Sequence, residues 1–164
     1  MSKGHIAMLT TGSAAPDMQL EDTAGNTWRL SDQLGTHGAL LFFVRSTSCP
    51  ICNRHVRDLL AQRGGFEADD VRLYLAIPEA HDAGRAWQTA HRITVPVLVG
   101  SAESPHQSVG LTRRLFGSMQ QSGSVLVDPG GIVRHAHGAT MPVNSYDKKG
   151  IQAAIRAMRG PAGT

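Results

Sequence analysis

The chain carries two cysteines, and both fall in one short run, Cys49-Pro50-Ile51-Cys52. Two thiols at this spacing can pass an electron pair by closing and opening a disulfide, and the attacking species is a thiolate. The position of the pair matters more than its spacing. It follows the continuous apolar run Ala39-Leu40-Leu41-Phe42-Phe43-Val44, which reads as a buried strand. It precedes an apolar stripe of helical period, Cys52, Val56, Leu59 and Leu60. At such a helix start the first N–H groups have no intrahelical partner, and the helix dipole adds roughly half a positive charge. Both effects favour an ionised sulfur, and cysteines so placed titrate at about 3.5 to 7.5 instead of about 8.5.

Position also assigns roles to the sulfurs. Cys52 begins the apolar stripe and is expected to face inward, as the resolving thiol. Cys49 stands ahead of that stripe at the helix mouth. It is expected to be the nucleophile and to be reachable from solvent. Pro50 suits the first helical turn, where a missing N–H costs nothing. Arg45 adds positive charge nearby. The hydroxyls of Ser46, Thr47 and Ser48 could hydrogen-bond a peroxide or a mixed disulfide. Further along, the polar segment from Ser118 to Ser124 leads into a strand, and Gln121, Ser122 and Gly123 are its candidate substrate contacts.

Three other readings compete. Two cysteines can be small core hydrophobes. With His55, and with His135 and His137, they could also close a tetrahedral zinc site. A non-catalytic interaction domain would keep the fold alone. The histidines His81, His91 and His106 read as solvated. Trp28 and Trp87 read as core or lid residues, and Arg113-Arg114 as a solvated helix face. Gly130-Gly131 reads as a hairpin turn and not a phosphate loop, since no helix follows it.

The elements that must position the cysteines can be followed along the chain. Asp17 to Leu30 reads as a hairpin around Ala24-Gly25-Asn26, with Ser31-Asp32 capping a short turn. After the cysteine helix, which Gly64-Gly65 is expected to end, come a strand at Val71 to Ile77 and a helix with Ala83, Ala86, Trp87 and Ala90 inward. A strand at Val95 to Val99 follows, then a helix from Ser104-Pro105 to about Leu115. Strands at Ser124 to Val127 and Ile132 to His135 flank Asp128-Pro129-Gly130-Gly131. A final helix shows Ile151, Ala154, Ile155 and Met158. Strands alternating with helices predict an α/β domain with a mainly parallel sheet, covered on both faces and closed by an antiparallel edge. One domain over 1–164, with its core at about 12–159, accounts for every segment.

Composition excludes several classes. The chain has 164 residues, 41% hydrophobic and 18% charged, which is a globular composition. Its 16 Lys and Arg against 13 Asp and Glu give a net charge of +3, too thin a margin to argue for nucleic acid. No apolar stretch is long enough to span a membrane. The N-terminal residues lack a signal-peptide layout, so the expected address is the cytoplasm. Two cysteines do not make a secreted disulfide scaffold.

Gly12-Ser13-Ala14-Ala15-Pro16, the hairpin, the core strand, the cysteine motif and Val125-Leu126-Val127-Asp128-Pro129-Gly130-Gly131 together resemble the thioredoxin-like superfamily. Within it they resemble the alkyl hydroperoxide reductase and thiol-specific antioxidant branch, the peroxiredoxins, and within that the peroxiredoxin-like 2 subgroup. The resemblance covers about residues 8 to 158. It implies a thioredoxin-like fold of peroxiredoxin type: a central mixed sheet, helices on both faces and an N-terminal hairpin. Cys49 and Cys52 take the places of the redox-active pair. The family pattern places a Thr or Ser three residues before its cysteine, where this chain has Ser46, and a proline where it has Phe42. Counted from Cys52, Arg45 falls at the proline place and Cys49 at the Thr place, so the resemblance leaves open which sulfur meets peroxide. Near Ser122 a peroxiredoxin shows an arginine that this chain lacks, and Arg45 is the candidate to supply the guanidinium. The implied activity is a thiol-dependent, peroxiredoxin-like antioxidant with no organic or metal cofactor. Its substrate is a peroxide or a disulfide, and its reductant a thioredoxin-like protein or a low-molecular-weight thiol. A homodimer is compatible with the family. The alternatives are a protein disulfide reductase without peroxidase activity and a zinc-binding or regulatory module.

Overall fold

A computed structural model describes residues 8–101, 103–111, 113–114 and 119–159, with backbone alone at 113, 114 and 119. The hairpin is present as β1 (Gln19–Asp22) and β2 (Thr27–Arg29), followed by the one-turn α1 (Leu30–Gln33). The apolar run forms β3 (Gly38–Phe43), buried along its whole length. Then come α2 (Pro50–Ala61), α3 (Arg63–Ala68), β4 (Val71–Ala76), α4 (His81–His91) and β5 (Val97–Val99). The chain closes with β6 (Arg113–Arg114), β7 (Met119–Gln120), β8 (Ser122–Val127), β9 (Val133–Ala139) and α5 (Lys148–Met158).

Seven strands form one sheet in the order β2-β1-β5-β4-β3-β8-β9, while β6 and β7 pair separately. The sheet is mixed and less parallel than the alternation of elements predicts. Only β3–β4 and β4–β5 run parallel. The hairpin docks antiparallel on β5, and β8 returns antiparallel on β3. Because strand side chains alternate between faces, β3 feeds two cores. Leu40 and Phe42 join Cys52, Val56, Leu59, Trp87, Ile151 and Ile155 under α2, α4 and α5. Ala39, Leu41 and Phe43 join Trp28, Leu30, Tyr74, Val109 and Val125 on the other face.

Several predicted elements differ. Gly64-Gly65 does not stop the helix: neither glycine takes a positive φ, and both lie inside α3, which buried Phe66 anchors. The helix expected from Ser104 is a 3-10 turn over Pro105–Val109, halted by Gly110 in the left-handed region at φ 82°. Arg113-Arg114 is therefore strand and not helix, and Leu115 lies outside the described residues. On α4 the buried positions are Gly84 and Trp87, while Ala86 and Ala90 are exposed. Among the described residues no helix is long and apolar enough to cross a membrane.

Candidate active site

Central β3 ends at Phe43, and α2 begins at Pro50 after the loop Val44–Cys49. This loop leaves the sheet at the carboxyl ends of β3 and β4, where ligands of open α/β sheets bind. The segment entering β8 arrives at the same end, since Gly123 pairs with Phe43 and Ser124 with Phe42.

Cys49 is the N-cap of α2. Its φ of −76° and ψ of 112° are extended, and its sulfur accepts the backbone N–H of Cys52 at 3.3 Å. Its carbonyl accepts the N–H of Asn53 at 3.0 Å, the first turn of the helix. Pro50 occupies the first helical position, and Cys52, Val56 and Leu59 form the buried stripe as expected.

One expectation fails here. Cys49 is 2% exposed and not open at the mouth. An N-cap side chain folds back over the first turn to reach an N–H, so its sulfur lies on the helix end instead of projecting outward. Both sequence neighbours, Ser48 and Pro50, are exposed. Cys52 is fully buried. Burial pushes its thiol from 9.0 up to about 12, helped by a hydrogen bond with Cys49, against the opposing N–H groups of Arg45 and Ser46. Cys52 therefore keeps its proton at neutral pH. Both cysteines are free thiols. Helical geometry sets residues three apart at a Cα separation of about 5 Å, within the range a disulfide spans.

A family model described as AhpC/TSA matches residues 11–136. The chain belongs to the AhpC/TSA family. As an AhpC/TSA protein it is a thiol-dependent, peroxidase-like oxidoreductase. No curated protein sequence matches it. Its fold resembles the peroxidoxin BcpB of Mycobacterium tuberculosis, at TM-score 0.74 and 18% identity over 92% of this chain and 97% of the other. AhpC of the same organism aligns at 0.75 and 16% over 96% and 97%. The thiol peroxidase of Chromobacterium violaceum aligns at 0.77 and 12% over 93% and 89%.

The remaining candidates of this AhpC/TSA chain distribute around the cysteine loop. Arg45 is half-buried directly after Val44, and its backbone N–H and that of Ser46 face the Cys52 sulfur. The Ser46 and Ser48 hydroxyls pair with each other at 3.2 Å. Thr47 does not turn its hydroxyl proton to a substrate: both its N–H and its hydroxyl donate to Oε2 of Glu79, each at 2.9 Å. Gln121 is half-buried, and its amide donates to the Thr140 hydroxyl at 3.3 Å. Ser122 and Ser124 are fully buried, with hydroxyls that have no partner among the described residues. Alternation along β8 puts both on the face of Leu126, which belongs to the core under α2. Gly123 cannot be replaced cheaply, because a Cβ there would run into the His137 carbonyl.

Three residues that shape the site escaped the sequence reading. Glu79 holds Thr47. Asn53 donates to the Thr47 carbonyl at 3.1 Å and accepts the Trp87 indole N–H at 2.7 Å. His106 is fully buried and not solvated; its Nε2 donates to the Val44 carbonyl at 2.7 Å, and its ring stands edge-on to Phe43. His81 is likewise engaged, with Glu21 at 2.7 Å, whereas His91 is exposed as expected. Among the described residues no three His, Cys, Asp or Glu side chains are grouped to hold a metal. His55 lies against Phe42 and Tyr146, and His137 bonds the Asn144 carbonyl.

Proposed function

We propose that the protein reduces small peroxides through a Cys49–Cys52 dithiol cycle. The Cys49 thiolate attacks a peroxide oxygen, the O–O bond breaks, and the alkoxide or hydroxide leaves and takes up a proton. Cys49 is then a sulfenic acid. The Cys52 thiol attacks that sulfur, water leaves, and a disulfide closes. Two equivalents of an external thiol, or one dithiol, reduce it and are themselves oxidised to a disulfide.

The observation that carries the reading is the unequal state of the two sulfurs. Cys49 sits on the helix end with an N–H directed at it, while Cys52 is buried and protonated. A nucleophile that is 2% exposed admits a molecule of a few atoms more readily than a protein disulfide. That favours peroxide over the disulfide-reductase alternative, although one neighbour in fold is titled a putative protein disulfide isomerase of Bacteroides thetaiotaomicron. Gln121, Ser122 and Gly123 would border the substrate from the start of β8, and Arg45 would supply positive charge. A cytoplasmic setting and a homodimer fit this reading.

Parallel assays decide between substrates. With a thiol reductant, the protein should consume hydrogen peroxide or an alkyl hydroperoxide faster than it reduces insulin disulfides. The reverse order would replace the proposal with the reductase reading.

A further inference from the structure

We propose that Glu79 is a positioning residue for Cys49, acting through Thr47. This deepens the proposed cycle, since it rests on Cys49 being the attacking sulfur. Glu79 lies just beyond β4, in the loop before α4. It is far from Cys49 in sequence, and no motif marks it.

Thr47 stands two residues before Cys49, and every polar handle it has is taken. Its N–H and its hydroxyl both donate to the single oxygen Oε2 of Glu79 at 2.9 Å. Its carbonyl accepts the Asn53 amide at 3.1 Å. Asn53 follows Cys52 on α2, and its own oxygen accepts the Trp87 indole at 2.7 Å. The loop is thus gripped from both sides: by the β4–α4 connection through Glu79, and by α2 and α4 through Asn53 and Trp87. Hydrogen bonds to a carboxylate are the strong kind. They fix the backbone of the residue that sets the path into the N-cap, and with it the placing of the Cys49 sulfur against the Cys52 N–H.

The other carboxylate oxygen of Glu79 argues against a role in stability alone. Oε1 is buried and has no partner among the described residues. A buried carboxylate oxygen left without a partner, on a side chain that is itself half-buried, is a costly way to hold a loop. Its retention is explained if what matters is the geometry that Oε2 imposes.

The test uses the full chain with Glu79→Ala, Glu79→Gln and Thr47→Val. The rate of Cys49 alkylation by iodoacetamide is followed against pH by peptide mass, well below each variant's melting temperature. Glu79→Ala should raise the midpoint of that profile by about half a pH unit or more, because the sulfur loses its fixed N–H donor. Its oxidation by hydrogen peroxide should slow about tenfold. Glu79→Gln should keep the wild-type midpoint, since one amide oxygen can accept both Thr47 donors. A residue that only stabilises the fold would move the melting temperature and leave the midpoint in place. An unchanged midpoint in Glu79→Ala overturns the inference. If that variant does not fold, Thr47→Val decides in the same way, because it removes one of the two bonds to Oε2. A wild type that ignores peroxide would sink the proposed function, while the alkylation midpoints would still judge Glu79.

Discussion

The backbone N–H of Cys52 points at the sulfur of Cys49 from 3.3 Å. One residue thus contributes twice to the site: its amide donates to the Cys49 sulfur that caps the helix, and its own thiol lies buried on the same turn. The arrangement follows from placing the first cysteine at the N-cap and the second at the start of the buried stripe.

Capping gives Cys49 a structural role beside the chemical one proposed for it. A serine can accept the same N–H, and an alanine cannot. Cys49→Ser should match or exceed the wild type in urea unfolding, and Cys49→Ala should fall about 1 kcal/mol below Cys49→Ser. Equal stability of the two variants would mean that the sulfur is not a cap.

The Cys52 thiol, pushed from 9.0 to about 12 by burial, makes stability depend on alkaline pH. The folded state holds this proton more tightly than the unfolded chain does. Its contribution is therefore complete below the unfolded value and is lost as pH rises from about 9 toward 12. Tyr74 and Tyr146 are also pushed up by burial, so the comparison must be with Cys52→Ser. That variant should lose less stability than the wild type between pH 9 and 11, read as the change in melting temperature over about that window.

The acid limb has a different origin. Burial holds His55 and His135 below their ordinary 6.5, so both are neutral in the folded state at pH 7. Their contribution is present above 6.5 and lost as pH falls below it, when the unfolded chain takes up protons first. Replacing both by glutamine should flatten the fall of melting temperature between about pH 6.5 and 5. A slope identical to the wild type would contradict this.

His106 supports the strand end that launches the cysteine loop. A carbonyl can only accept, so Nε2 carries the proton that bonds Val44. His106→Leu leaves that buried carbonyl unsatisfied and should cost about 1 to 3 kcal/mol in urea unfolding.

The features legible in the sequence were those written in local pattern. The apolar run from Ala39 to Val44 and the period of Cys52, Val56 and Leu59 placed the cysteine pair at a strand-to-helix junction. The hairpin turns at Asn26 and Gly131 followed from residue type. What stayed hidden depends on contacts between distant segments. Whether Cys49 points out or folds back over its own helix is a matter of one side-chain rotation that spacing does not encode. His106 reads as an ordinary polar residue until the sheet brings Val44 to it. Gly64-Gly65 carries a stop signal, yet the burial of Phe66 keeps the chain helical. The Glu79–Thr47 bond joins residues 32 positions apart and has no local signature.

The division of labour between the two sulfurs is tested most directly by intact-mass analysis after one equivalent of hydrogen peroxide, on the wild type, Cys49→Ser and Cys52→Ser. The account predicts a loss of two hydrogens in the wild type, a sulfenic acid on Cys49 in Cys52→Ser, and no rapid change in Cys49→Ser. Sulfenic acid forming on Cys52 in Cys49→Ser, with Cys52→Ser inert, would contradict it.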